Sequence, residues 1–307
     1  MKIYKKINIK EPIILAVWPG MGNVGLLAMD YIRESLNAIL FAEIEMEEFE
    51  VLEAIIVEKG ISKLPLFSKN VFYFSKKYNL VIFESESQIE GIGGIKIINE
   101  ILNFAQKVKA KMIFTGAAFP LLTEYKNQVE IYGVVNENSL CDFLNHYNIK
   151  KMEDGQISGL NGLLLGYAQK NEIDAICLLS TIPLYAINLS NPRASKKMVE
   201  QLATILNIKI DYTKLDILIV EMDKKMEMIE SKIKTMFAPM QENLEINTIQ
   251  DKVQDKIPDH IIEKIENLFK ESEKDKKKAY LLKKELDRWN LYKLYEDKFL
   301  DLFKKPH

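Results

Sequence analysis

Trp18-Pro19-Gly20-Met21-Gly22-Asn23-Val24-Gly25 is the stretch whose reading decides the fold of this 307-residue chain. Residues 13–18, which run into it, are continuously apolar, as in a strand buried on both faces. Residues 23–36, which leave it, set Leu26, Leu27 and Tyr31 against Asp30 and Arg33 at helical spacing. Strand, glycine-rich turn and helix in direct succession predict an α/β unit. The turn then sits at a strand's C-terminal end, where open α/β sheets bind ligands.

Outward from that unit the alternation continues. Segments 38–44, 51–57, 71–74, 80–83, 111–115, 129–135 and 175–179 read as strands, and 95–108, 139–146, 160–169 and 192–206 as helices. Such alternation predicts a largely parallel sheet covered on both faces, with some antiparallel pairing around the hairpin-like residues 60–75. All 13 glycines lie at or before Gly166. Residues 213–307 hold 20 Lys+Arg and 20 Asp+Glu, so they carry 40 of the chain's 86 charges on 95 residues. A glycine-free, charge-rich stretch favours helix. The chain is therefore expected to divide near Asp211, into an α/β domain over 1–211 and a helical extension over 212–307.

Within the extension, Leu215, Leu218, Met222, Met226, Ile229, Ile233 and Met236 recur at steps of three and four, a narrow amphipathic seam. Helices are expected at about 213–238, 259–272 and 276–303. Pro239 should end the first, and Asp259 should cap the second. The soft methionines Met222 and Met226 and the aromatic stripe Trp289, Tyr292, Tyr295 and Phe299 are candidates for contact with partner proteins. The alternative is that these faces pack on their own domain or on a sister subunit, and so favour a homo-oligomer.

Gly20, Gly22 and Gly25 satisfy G-x-G-x-x-G between a strand and a helix, and Glu45 lies where a ribose-binding acid would follow. On form this is a dinucleotide fingerprint. The competing reading is a tight turn with close helix–sheet packing, favoured by the stiff Pro19 and the bulky, apolar Met21. Gly116, Gly159, Asn161 and Gly162 fall at other strand and helix ends. With Pro19, Gly20, Met21, Gly22, Asn23 and Gly25 they are expected to line one cleft that has shape but little reactivity.

Three blocks then carry a family resemblance. The opening stretch closely resembles the signature of the PAC2 family, in which Pro-Gly-Met-Gly-Asn-Val-Gly follows the first strand. The second block is Gly155-Gln156-Ile157-Ser158-Gly159-Leu160-Asn161-Gly162-Leu163-Leu164-Leu165. The third runs from Ala175-Ile176-Cys177-Leu178-Leu179 through Pro183 and Tyr185 to Asn191-Pro192-Arg193-Ala194. The resemblance implies a three-layer α/β/α sandwich with a mostly parallel, mixed sheet, phosphorylase-like in shape, here with an α-helical C-terminal extension. It implies work as a proteasome assembly chaperone on proteasome α-subunits or related clients, and it brings no catalytic residues. Factors of this type often end in hydrophobic–Tyr–any residue, whereas this sequence ends Lys305-Pro306-His307. Docking by the tail is not expected.

Composition excludes other classes. A formal net charge of −2 gives no basis for nucleic-acid binding. Cys141 and Cys177 with three histidines cannot form a disulfide framework or a zinc cluster. No signal peptide and no apolar run of membrane-spanning length is visible, so a cytoplasmic protein without metal or cofactor is expected. His146 is the only histidine in the α/β region and reads as a helix-terminal surface residue. Glu84, Glu86 and Glu90 cluster after a strand, which is compatible with Mg²⁺ or general-base chemistry but equally with a solvated acidic loop. The expected function is non-enzymatic protein binding. A nucleotide- or nucleoside-handling enzyme using the cleft at Gly20 to Gly25 is the alternative.

Overall fold

Strand residues point alternately to the two faces of a sheet, and the run that opens the glycine stretch uses both faces for burial. Ile14, Ala16 and Trp18 enter one apolar core while Leu15 and Val17 enter another, all five fully buried. The structure, a computed structural model, describes residues 1–241, 259–274, 278–288, 295, 298, 299 and 302. Its strands are β1 (Lys2–Ile3), β2 (Ile13–Val17), β3 (Ile39–Glu43), β4 (Ile56–Glu58), β5 (Ile61–Lys63), β6 (Asn70–Ser75), β7 (Leu80–Ser85), β8 (Met112–Leu121), β9 (Ile131–Val135), β10 (Lys150–Lys151) and β11 (Ala175–Pro183). Its α-helices are α1 (Val24–Ser35), α2 (Gly91–Val108), α3 (Cys141–His146), α4 (Leu160–Lys170), α5 (Pro192–Leu206), α6 (Thr213–Gln241), α7 (Asp259–Lys274) and α8 (Ala279–Arg288).

Nine strands form one sheet in the order β1-β3-β6-β7-β2-β8-β11-β9-β10. Parallel ladders join β7, β2, β8 and β11 at the centre and β9 to β10 at one end. Antiparallel ladders join β1, β3, β6 and β7 on one flank and β11 to β9 on the other. The sheet is thus mixed, parallel in its middle, and more antiparallel at its flanks than alternation alone implied. On one face α2 and α4 cover Ile14, Ala16 and Trp18, with Ile97, Ile101, Leu160 and Leu164 in the same core. On the other face α1 and α5 cover Leu15 and Val17, through Ala28, Ile32, Met198 and Leu202. The result is a three-layer α/β/α sandwich.

Three local expectations change. Residues 116–121, past the end of the strand expected over 111–115, continue β8, because they pair in parallel with Leu178–Pro183, and the glycine there lets helices pack close to the strand. A Cβ at Gly116 would meet Met198 Sδ at 2.7 Å and Met29 Cε at 3.3 Å. The strand expected over 51–57 shortens to β4, which pairs only with β5. Lys59 and Gly60 close that hairpin at φ 50° and 80°, the left-handed pair of a type I′ turn. Finally, α6 passes Pro239 and ends at Gln241. A proline this close to a helix end forfeits a single backbone hydrogen bond.

The chain divides into two compact units, Met1–Ser231 and Lys232–His307. The division falls after the first half of α6 because that half packs on the α/β layers: Leu215 is fully buried in the α1–α5 core. Met226 is buried with Tyr125 and Ala186, and Met222 and Ile229 pack beside it. In the second unit, Ile265 and Phe269 of α7 pack with Leu282 and Leu286 of α8 and with Phe299, flanked by Tyr295. Among the described residues no helix is long and apolar enough to cross a membrane.

Candidate functional site

Beyond β2 the chain turns through a single 3-10 turn, Met21–Asn23, into α1. Gly22 holds φ 63°, the left-handed conformation glycine adopts without strain. Its N–H donates to the Ile187 carbonyl (2.7 Å), and its own carbonyl accepts from the Asn191 N–H (2.9 Å). Asn191, buried at 2% exposure, also caps α5 by accepting from the Ala194 N–H at 3.1 Å. The Asn191-Pro192-Arg193-Ala194 block therefore starts α5 and clamps the glycine turn together.

These bonds count against the fingerprint reading. A pyrophosphate needs free N–H groups at the turn. Here the Gly22 N–H is held by Ile187, the Asn23 N–H by Gly20 O at 2.9 Å, and the Val24 N–H by Met21 O. Gly25 serves packing, since a Cβ there would run into the Gly116 carbonyl where α1 crosses β8. Glu45 is exposed and follows β3, which two strands, β6 and β7, separate from β2. A ribose-binding acid would need the adjacent strand.

Pro19, Gly20, Met21, Gly159 and Asn161 do converge, on a cleft of about 740 Å³ at the C-terminal ends of the central parallel strands. Gly22, Asn23 and Gly25 face elsewhere. Gly116 lies on the opposite face of the sheet, under Met198. At Gly162 a Cβ would collide with Ile157, so that glycine lets the 150s loop pack on α4. Ala117, Phe119, Met152 and Ile157 supply much of the wall. Asn161, 3% exposed, holds the floor together: its Oδ1 accepts from the Trp18 N–H (3.0 Å) and its Nδ2 donates to the Trp18 carbonyl (3.1 Å). Its own carbonyl accepts from Thr115 Oγ1 at 2.8 Å.

Gln88 is the residue that sequence reasoning missed. Its Nε2 donates to the Pro19 carbonyl (2.7 Å) and its Oε1 accepts from the Leu160 N–H (3.1 Å), so one side chain ties the glycine turn to the start of α4. A Gln between Ser87 and Ile89 carries no sequence signal of that role. Among the described residues Glu90 is the only ionisable side chain on the cleft wall. The three carboxylates do not all converge: Glu84 and Glu86 line a second cavity of about 410 Å³ with Asp30 and Asn23, apart from Glu90. Glu84 turns to the α1 face and Glu86 accepts from the Lys69 N–H at 3.0 Å. Arg33 Nε donates to both Glu84 oxygens, at 3.0 and 2.9 Å, and its guanidinium lies 4.7 Å from the Tyr73 ring centroid. Burial pushes the Glu84 carboxyl up to about 7 against the pull of Arg33. Cys177 is fully buried, and burial raises its thiol to about 11, which leaves it inert. His146 is exposed, edge-on to Tyr147.

The partner-contact candidates are placed differently. Met226 is 1% exposed and Phe299 7% exposed, each inside a core, and Met222 and Tyr295 pack against those cores. An apolar seam of this width is buried within its own unit because water is the alternative. Trp289 and Tyr292 lie outside the described residues. A latch fixes the first half of α6: Arg193 donates to both Asp223 oxygens (2.9 and 2.5 Å) and stacks on Tyr125. Glu230 accepts from the Tyr125 N–H at 2.7 Å and from the Tyr185 hydroxyl.

A three-layer α/β/α sandwich whose glycine turn is closed by backbone hydrogen bonds, beside a cleft lined mostly by apolar side chains, is the class of α/β protein seen here. The PAC2 family model matches residues 14–230, and the chain belongs to the PAC2 family. An uncharacterized protein of Methanocaldococcus jannaschii is 26% identical over 239 residues, 76% of this chain and 88% of that protein. Among solved structures, Pyrococcus furiosus PbaB, an archaeal proteasome activator, superposes with a TM-score of 0.63 at 24% identity, covering 74% of this chain and 97% of that one. Pyrococcus furiosus PbaA, an archaeal homolog of proteasome-assembly chaperone, gives 0.58 at 21% identity over 76% and 96%. These identities establish a shared fold.

Proposed function

We propose that this chain is a non-enzymatic protein-binding factor of the proteasome-assembly-chaperone kind, acting on proteasome α-subunits or related clients through the cleft and its rim. The observation that carries the reading is the chemistry of the cleft. Its wall is mostly apolar side chains, with Gln88, Gln156, Ser158 and Asn161 as uncharged polar groups and Glu90 as the one ionisable group among the described residues. Large apolar residues of its lining stand exposed: Met21 at 40% and Leu163 at 46%. Apolar surface grouped around a concavity marks a site for a protein partner. Membership of the PAC2 family, and the likeness to PbaB and PbaA, support proteasome subunits as the client.

The test uses the full chain as bait in lysate of its source organism, with captured proteins identified by mass spectrometry. Enrichment of proteasome α-subunits, reduced by Leu163→Glu, is expected. Equal capture by wild type and Leu163→Glu would contradict a role for the cleft.

A further inference from the structure

Residues 51–66 form an arm that leaves the α/β layers. Its base is fixed: Phe49 and Phe67 pack on the α2–α4 core, and Glu50 accepts from both the Ser68 N–H and Oγ at 2.8 Å. Beyond the base, Val51, Ile55, Ile56, Val57, Ile61 and Leu66 are exposed, Val51 at 83% and Leu66 at 93%. A lone two-stranded hairpin is marginally stable in water, and three or more strands with an apolar face are needed to hold it. Apolar side chains grouped in this way on one arm mark a surface that a partner covers.

The edges of the chain's two sheets are not equivalent. The nine-stranded sheet ends in two-residue strands carrying Lys2 on one side and Lys150-Lys151 on the other. Short lysine-bearing edges resist pairing. In the arm, the continuation of β5 carries Lys63 and Pro65, which also block an edge. The outer edge of β4 is short as well, but β4 and residues 51–55 leading into it, Val-Leu-Glu-Ala-Ile-Ile-Val-Glu in all, contain no proline, glycine or lysine.

We propose that residues 51–58 pair antiparallel with the same segment of a second copy, about a two-fold axis at Ile56, joining two hairpins into one four-stranded sheet. Charge selects the register. With Ile56 opposite Ile56 of the second copy, Glu53 falls level with Lys59 in the hairpin turn of the second copy, within reach of its long side chain, twice by symmetry. A register moved by one residue sets Glu53 against Glu58 or against Gly60. Ile55 and Val57 then face each other across the axis, an aliphatic pair that such ladders favour. This interface is separate from the cleft and does not depend on the client.

Sedimentation velocity of the full chain over a range of concentrations tests it. The wild type is expected to show reversible two-fold association. Ile56→Glu, which places two carboxylates face to face, should weaken it at least roughly tenfold, with an unchanged circular dichroism spectrum because the residue is exposed. Glu53→Lys and Lys59→Glu should each weaken association, roughly three- to tenfold, and the double variant should recover it. A wild type that stays monomeric throughout overturns the proposal and leaves the arm to a different protein. So does association untouched by Ile56→Glu, while a double variant no better than the singles overturns the register.

Discussion

The Asn161 carboxamide and the Trp18 backbone exchange two hydrogen bonds across 143 residues of sequence, Trp18 N–H to Oδ1 at 3.0 Å and Nδ2 to the Trp18 carbonyl at 3.1 Å. Asn161 thereby acts as a short extra strand at the end of β2 and welds the start of α4 to the glycine turn. Asn161→Ala should leave two buried backbone groups unpaired and cost about 2–6 kcal/mol, since each orphaned group costs about 1–3 kcal/mol. Chemical denaturation measures the loss. A cost below about 0.5 kcal/mol would show that the weld does not matter.

Two glycine substitutions should act with opposite signs. Gly25→Ala drives a methyl into the Gly116 carbonyl and should destabilise by about 1–3 kcal/mol or more, as overpacking does. Gly166→Ala, on α4 with nothing within 4 Å of the new methyl, should stabilise by about 0.5–1 kcal/mol. Paired thermal melts check the contrast.

The alternation of residues 13–18 and the glycine turn made the sandwich legible in the sequence, because buried strands and tight turns constrain residue type locally. The cleft was legible at Pro19, Gly20, Met21, Gly159 and Asn161. It was misread at Gly116, because a glycine that admits a helix looks like one that opens a pocket. Gln88 was invisible, since its role comes from a loop placed by β7 against two distant backbones. Met226 and Phe299 looked like contact residues because a helical stripe does not say whether its cover comes from the same chain.

Glu84 predicts a pH dependence. Its folded-state value is raised from 4.5 to about 7, chiefly by burial. Between those values the folded protein keeps a proton that the unfolded chain has released. The contribution is full below 4.5 and is lost as pH rises through about 7. Stability profiles of wild type and Glu84→Gln should therefore differ in slope between pH 5 and 7, with the wild type falling more steeply. Parallel profiles would place the Glu84 value near that of an ordinary carboxylate.

The latch on α6 predicts a local dynamic change. Arg193→Ala removes the paired bonds to Asp223 and the stacking on Tyr125. Hydrogen exchange should accelerate across residues 213–231 while β2, β8 and β11 keep their protection. Uniform acceleration would mean that the latch supports the whole fold and not this helix alone.

Binding of purified proteasome α-subunits to the full chain, measured by biolayer interferometry for wild type and Leu163→Glu, tests the central claim most directly. Saturable binding is expected, weakened by a rim carboxylate roughly tenfold, about 1.4 kcal/mol. No binding by the wild type, together with thermal stabilisation of the chain by a nucleotide or nucleoside, would contradict it and assign the cleft to a small ligand.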